Sequence, residues 1–365
     1  MFDTPILLLV NSVYQLFTAI HLKHTLLKGK KADLLLTDVT EKLREYEERL
    51  KKTGLFQRVL FARVKDLNRK YAVGSQEEIS EGFDRWESIL RWVLNDELGD
   101  YQEIYFSNFD TFTRMLACRY YAGPCSFICY EDGFSTYVID FLKEERAAVN
   151  RHPKGRILRE KLEKVLLYEP RLSMRGDSFP NVRLPKVDPA DSKLLETFNY
   201  VFDYKKPERI SDFIFLEQSF RAEGIRGNDL ELIKECKEAV SPKSFSVKPH
   251  PRNPQNIPFL MGLTGRYPSD APWELFLLNE SQKETVLITV CSNGALTGRI
   301  LFGLDLPTVM LYPLFDGKVL WKEDGILKRY LLRFEQQFAG ENYYVPRTIY
   351  ELRNILRYLG GHYER

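Results

Sequence analysis

The chain has 365 residues and a formal charge of +2, so no global field points to nucleic acid, and the length suggests two domains rather than one. Hydrophobic residues make up 44% and charged residues 28%, which excludes disorder as the default. The aromatic fraction, 13%, reads mostly as core, with a few rings left to stack on sugars or bases. In chain order, Ile6–Val10 is a short apolar run with the length of a buried parallel strand. Asn11 or Ser12 would cap the helix that follows, where Val13, Leu16, Phe17, Ile20, His21 and Leu27 recur near helical spacing. The pattern then predicts strand Asp33–Thr37, helix Glu41–Lys52, strand Arg58–Ala62 and a helix around Phe83–Leu94. Strands Glu103–Phe106 and Ser126–Tyr130 flank helix Thr111–Tyr121, and a further helix covers Phe134–Leu142. The segment 151–165 is strongly basic and reads as solvated, with His152-Pro153 inside it, facing a membrane or an anionic acceptor. Prolines 170, 180, 185 and 189 punctuate the next stretch and put a linker near Pro185–Ser192.

The alternation then resumes with strand Asp212–Leu216, helix Asp229–Val240 and strand Phe245–Lys248. Strand Thr285–Val290, helix Gly294–Phe302 and strand Thr308–Tyr312 follow, and helices Ile326–Phe338 and Thr348–Leu359 end the chain. Strands alternating with helices imply parallel α/β units, here two halves with a cleft between them. The expected division is 1–190, 191–345 and a final helix over 346–365 that packs back on the first domain. A dimer contact or a membrane-surface contact is the alternative for that helix. Five cysteines without a CxxC pair suit reduced, structural thiols. Asp3 precedes the first apolar run with no basic flank, so no signal peptide is expected there, and no segment reaches about 18 apolar residues. The expectation is a cytoplasmic protein, at most peripheral on the inner face of the membrane.

Polar clusters follow several strands. Glu131, Asp132 and Gly133 leave Ser126–Tyr130; a carboxylate there can deprotonate a sugar hydroxyl, or simply cap the next helix. Lys248, Pro249, His250, Pro251 and Arg252 leave Phe245–Lys248. Two prolines hold the histidine rigidly in a cationic spot suited to a phosphate. Ser292, Asn293 and Gly294 stand between a strand and a helix, where capping and anion binding need the same geometry. Asn11, Tyr14 and Gln15 follow the first strand as cap or acceptor-sugar contacts, and Asp229 opens a helix as cap or second candidate base.

The acidic EDG of Glu131-Asp132-Gly133, the KPHP of Lys248-Pro249-His250-Pro251 and the later Ser292-Asn293 resemble, in that order, the motifs of bacterial sialyltransferases. The set is most similar to glycosyltransferase family 52, which includes lipooligosaccharide and capsule sialyltransferases. That resemblance implies a GT-B fold of two Rossmann-like domains and inverting transfer from CMP-sialic acid to a galactose-terminated glycan or lipid-linked glycan, with neither metal nor other cofactor. It assigns the base to Asp132 or Glu131, or to Asp229, and the donor phosphate to His250, Ser292 and Asn293. Asn293 stands where the family often has a second hydroxyl. Transfer of another sugar, glucose for example, from a UDP or GDP donor is therefore the alternative, and a non-catalytic capsule-assembly protein is a third reading.

Overall fold

The computed structural model describes residues 4–72, 74–176, 178–253, 255–265, 267, 270–280, 285–318, 325–338 and 340–361. The chain divides into two compact units, Met1–Tyr204 and Lys205–Arg365.

In the first unit the strands are β1 (Ile6–Val10), β2 (Ala32–Thr37), β3 (Arg58–Ala62), β4 (Glu103–Phe106), β5 (Ser126–Tyr130), β6 (Leu162–Leu167) and β7 (Asn181–Arg183). They form one sheet in the order β3-β2-β1-β4-β5-β6-β7, and every pairing is parallel. Ile6–Val10 and Ala32–Thr37 are buried at every position, as strands covered on both faces must be. The chain winds outward from β1 to β3, then returns to β1's other side at β4. The strand order therefore reverses between β1 and β4, and the loops after β1, β4 and β5 meet at that crevice.

The second unit contains β8 (Phe213–Leu216), β9 (Phe245–Lys248), β10 (Val286–Thr289), β11 (Thr308–Met310) and β12 (Tyr343–Tyr344). Their order is β12-β11-β10-β8-β9, again all parallel, and the reversal lies between β8 and β10. Leu216 pairs with Lys248 and with Thr289, so the ends of β8, β9 and β10 are level.

Several sequence expectations change. The first unit ends at Tyr204, not at 190. The reason is helix Ser192–Val201, capped by Asp191, whose Phe198 stacks on Phe17 of the helix Val13–His24 at 4.1 Å. The final helix, Ile349–Leu359, buries Leu352 and Leu356, and its Arg353 reaches Glu235 of helix Asp229–Val240 at 2.6 Å, a contact within the second unit. The basic segment 151–165 exposes Arg151, Arg156 and Arg159 as expected, but it is regular structure rather than a loop. Pro153–Lys161 is a helix with proline in its first turn, and Leu162 begins β6, between β5 and the edge strand β7. His152 stacks on Phe83 at 5.1 Å. Glu41–Lys52 is a 3-10 turn to Tyr46 and an α-helix from Glu47 to Thr53; Leu43 and Tyr46, three apart, both face inward, the spacing of a 3-10 helix. Phe134–Leu142 shortens to Phe134–Val138. Gly294–Phe302 divides into a 3-10 turn, Asn293–Ala295, and a π-helical turn, Gly298–Phe302. The latter buries Arg299 against the carbonyl of Leu306 and the carboxylate of Asp305. The five cysteines are buried, and none forms a disulfide.

Candidate active site

Each unit carries a polar cluster at its own strand-order reversal.

In the first unit, β5 delivers Glu131 and Asp132 into different surroundings. Glu131 is fully buried and accepts from Tyr14 Oη at 3.0 Å, from the Tyr168 amide at 2.9 Å and from Tyr137 Oη. Burial nevertheless pushes its carboxyl up to about 7, because three donors do not replace the water it has lost. Asp132 is half-buried and accepts from Gln15 Nε2 at 2.8 Å and from Ser12. Burial raises it as well, and among the described residues it has no cationic partner to pull it back. Its own amide donates to Thr136 Oγ1 at 2.9 Å, and Gly133 turns the chain with φ +71°, a left-handed conformation that glycine adopts without penalty. Gly133 occupies the cap of helix Phe134–Val138 without a side-chain cap bond, so neither carboxylate serves as the cap.

Asn11, Tyr14 and Gln15 hold this cluster in place. Gln15 is buried; its Nε2 reaches Asn108 Oδ1 at 2.5 Å as well as Asp132, and its Oε1 accepts from the Asn11 amide at 2.7 Å. Asn11 Oδ1 accepts from Thr37 at 2.7 Å, and its Nδ2 contacts Asp110 at 3.4 Å. Ser12 is the helix cap. Asp110 caps Thr111–Arg119 and also accepts from Asn68 at 2.8 Å. Asn68, Asn108 and Asp110 were not singled out from sequence, although Asp110 before Thr-Phe-Thr carries an ordinary cap signal.

In the second unit, Glu217 follows β8 directly. It is buried and accepts from Arg221 NH1 at 2.9 Å, from Asn253 Nδ2 at 3.3 Å and from the His250 amide at 3.3 Å. Arg221 also reaches Asp229 at 2.9 Å. Asp229 is therefore an ion-pair partner in the first turn of its helix; Asn228, not Asp229, holds the cap position. Burial raises the Asp229 carboxyl, and Arg221 opposes that shift. Glu217 went unnoticed in the sequence, yet Glu217-Gln218-Ser219 follows a strand as the other clusters do.

The loop after β9 is a tight turn, with the Asn253 amide donating to the His250 carbonyl at 3.0 Å and Pro251 exposed. The Arg252 amide donates to His250 Nδ1 at 3.2 Å, which leaves the proton of the neutral ring on Nε2. The sequence suggested a cationic histidine. Burial first, then Arg252 and Lys248, lower it to about 4, so the ring itself is neutral at pH 7 and the positive charge belongs to its neighbours. Lys248 Nζ lies 5.8 Å from the Tyr267 ring centroid and 6.0 Å from that of Trp273. The Arg252 guanidinium bonds Ser219 Oγ at 2.8 Å and pairs with Glu223.

After β10, Ser292 Oγ accepts from the Gly294 amide at 3.3 Å, which is capping geometry, and the Ser292 amide donates to Thr289 Oγ1 at 3.0 Å. Asn293 Oδ1 accepts from Tyr330 at 3.3 Å, and the Gly294 carbonyl accepts from Trp273 Nε1 at 2.7 Å. Trp273 thus meets both Lys248, at the end of β9, and the Gly294 carbonyl, after β10. Among the described residues no cluster of histidine, cysteine and carboxylate side chains is arranged to hold a metal ion, and no helix is long and apolar enough to cross a membrane.

No protein-family model and no curated protein matches the sequence. Solved structures do. The α/β-galactoside α-2,3-sialyltransferase of the luminous marine bacterium Photobacterium phosphoreum is similar over 94% of this chain and 99% of its own, with TM-score 0.52 and 10% identity. Arabidopsis thaliana UGT89C1, complexed with quercetin, is similar over 98% of this chain and 90% of its own, with TM-score 0.50 and 12% identity. The UDP-N-acetylglucosamine 2-epimerase of Rickettsia bellii is similar over 99% and 89%, with TM-score 0.50 and 10% identity. At such identities the likeness shows the fold: an α/β chain of the GT-B class, built from two Rossmann-like units.

Proposed function

We propose that the protein is an inverting glycosyltransferase that moves sialic acid from CMP-sialic acid to a galactose-terminated bacterial surface glycan of the lipooligosaccharide or capsule type. The observation that carries this reading is the pairing of two site chemistries in one chain. The first unit offers a half-buried carboxylate, Asp132, raised by burial and free of cations. The second offers a phosphate-suited crevice of Lys248, the Nε2–H of His250 and the Ser292–Gly294 turn.

In this reading Asp132 takes the proton of the acceptor hydroxyl as its oxygen bonds to the anomeric carbon, and the bond from that carbon to the CMP phosphate breaks. His250 and Lys248 stabilise the charge that develops on the departing phosphate; preorganised donors of this kind contribute roughly 10²–10³-fold. This charge is met by protein groups, so the reaction proceeds without added metal. Glu131, closed off by three donors, positions Asp132's strand end rather than meeting substrate. Asp229, held by Arg221, is the weaker choice of base.

The likeness to a sialyltransferase over nearly the whole of both chains supports the donor class, and the order of the three motifs supports it further. The second reading, a UDP- or GDP-sugar donor, rests on Asn293 and on the UDP-N-acetylglucosamine 2-epimerase of the same fold. The acceptor class places the enzyme at the cytoplasmic face of the inner membrane.

The test is CMP release from CMP-sialic acid in EDTA, with galactose-terminated acceptors, for wild type, His250→Ala and Asp132→Asn. Release by wild type that falls by about 10²–10⁴-fold in Asp132→Asn supports the assignment. No release by wild type, with turnover of a UDP- or GDP-sugar instead, selects the second reading.

A further inference from the structure

Away from Asp132, the first unit contains a second cavity of about 220 Å³, lined by Arg114, Leu142, Glu144, Asn150, Gly155, Arg156 and Arg159. Arg114 is only 1% exposed, on the helix Thr111–Arg119. Its NH1 donates to the Gly155 carbonyl at 3.0 Å, and its Nε has no hydrogen-bond partner. Asp110, one turn earlier, is the opposite charge that faces Arg114. Its oxygens, however, serve Thr113, Asn68 and Asn11. Asn150 is buried beside it. Its Nδ2 donates to the carbonyls of Phe141 at 2.9 Å and Lys143 at 2.5 Å, leaving Oδ1 buried without a partner. Arg156 lies at the rim, where it pairs with Glu144 at 2.7 Å and donates to the Asn150 carbonyl at 3.2 Å. Arg159 is exposed and has no ion pair among the described residues.

A buried guanidinium whose facing carboxylate is engaged elsewhere costs stability, and three guanidinium groups against Glu144 at the rim and Asp110 behind Arg114 leave the cavity electropositive. We propose that this cavity binds a small phosphate-bearing anion, with Arg114, Arg156 and Arg159 on its oxygens. Guanidinium forks match a tetrahedral oxyanion, and the orphaned Nε of Arg114 gains the acceptor it lacks. Asn150 Oδ1 accepts from a protonated phosphate oxygen or a hydroxyl of the ligand. The site lies wholly within the first unit and is independent of the donor assignment.

The test is calorimetric titration of inorganic pyrophosphate, at fixed ionic strength, into the full-length protein as wild type, His250→Ala, Arg159→Glu and the combined variant. Arg156 and Arg159 are exposed, so Arg156→Gln with Arg159→Gln is expected to fold and serves as a second probe of the site. Binding that persists in His250→Ala and weakens by roughly tenfold or more in Arg159→Glu and in the double variant supports the site. Binding that vanishes in His250→Ala, or that is equal in wild type and Arg159→Glu, overturns it. Co-sedimentation with vesicles of phosphatidic acid in phosphatidylcholine identifies the source. Vesicle binding lost in Arg159→Glu assigns a lipid phosphate, pyrophosphate binding alone assigns a soluble one, and binding of neither overturns the proposal.

Discussion

Glu131 and Asp132 are adjacent, yet one side chain closes into a network of two tyrosines and an amide while its neighbour keeps an open side. That difference sets two pH dependences of opposite use. Asp132 must be ionised to accept a proton, so kcat/KM rises with pH through its pKa. Burial has raised that pKa above the ordinary 3.8, and the acid limb of a pH–rate profile is expected above that value and absent in Asp132→Asn. Glu131 sets the pH dependence of stability instead. Its pKa is near 7 in the folded chain against 4.5 for an unperturbed glutamate. Between those values the folded chain keeps a proton that the unfolded chain has released, so stability falls as pH rises across the window, by about 3 kcal/mol in all. Denaturant unfolding of Glu131→Gln at pH 4.5 and 7.5 is expected to show a flatter pH dependence than wild type; an equal slope in both proteins would rule the carboxyl out as its source.

At the scale of elements, the sequence displays its parallel strands plainly, because buried strands are continuous apolar runs: Ile6–Val10, Arg58–Ala62, Glu103–Phe106, Ser126–Tyr130 and Phe245–Lys248 have the expected bounds. The clusters at their C-terminal ends were legible for the same reason. Leu162–Leu167 was not, because Glu163 and Lys164 interrupt its apolar run and a basic helix leads into it. The cue there was Gly155. A Cβ at that position would lie 2.1 Å from the Val149 carbonyl oxygen, so only glycine lets the helix Pro153–Lys161 approach so closely. Gly155→Ala is expected to destabilise the first unit by about 1–3 kcal/mol in denaturant unfolding, through backbone displacement rather than lost contact. It would also disturb the carbonyl that Arg114 holds. The partners of the site residues were equally hidden. Glu217 with Asn253, and Gln15 with Asn108, meet only through tertiary structure, and no spacing in the chain encodes such pairs.

For the whole molecule, the boundary between units is the point at which local and tertiary signals disagree. Four prolines between 170 and 189 punctuate the chain as a linker would, yet the helix Ser192–Val201 beyond them belongs to the first unit. Leu194, Phe198 and Val201 are buried, Phe198 stacks on Phe17, and Phe202 meets Tyr46 edge-on at 5.1 Å. Removing a buried phenylalanine costs about 3–5 kcal/mol, comparable to the whole stability of a marginal domain. A fragment ending at Tyr204 is therefore expected to fold cooperatively, with a thermal transition of its own. A fragment ending at Ala190 would expose the face of Val13–His24 that carries Phe17, on the helix that also presents Tyr14 and Gln15 to the two carboxylates. Its transition should be lower by several degrees or lost, and Phe198→Ala in the longer fragment should reproduce most of that loss. Equal stability of the two fragments would place the boundary at the prolines and reduce Ser192–Val201 to a connecting segment. The predicted inequality ties the candidate site to the boundary, because the helix that orients Gln15 on Asp132 is held from behind by residues that lie beyond the prolines.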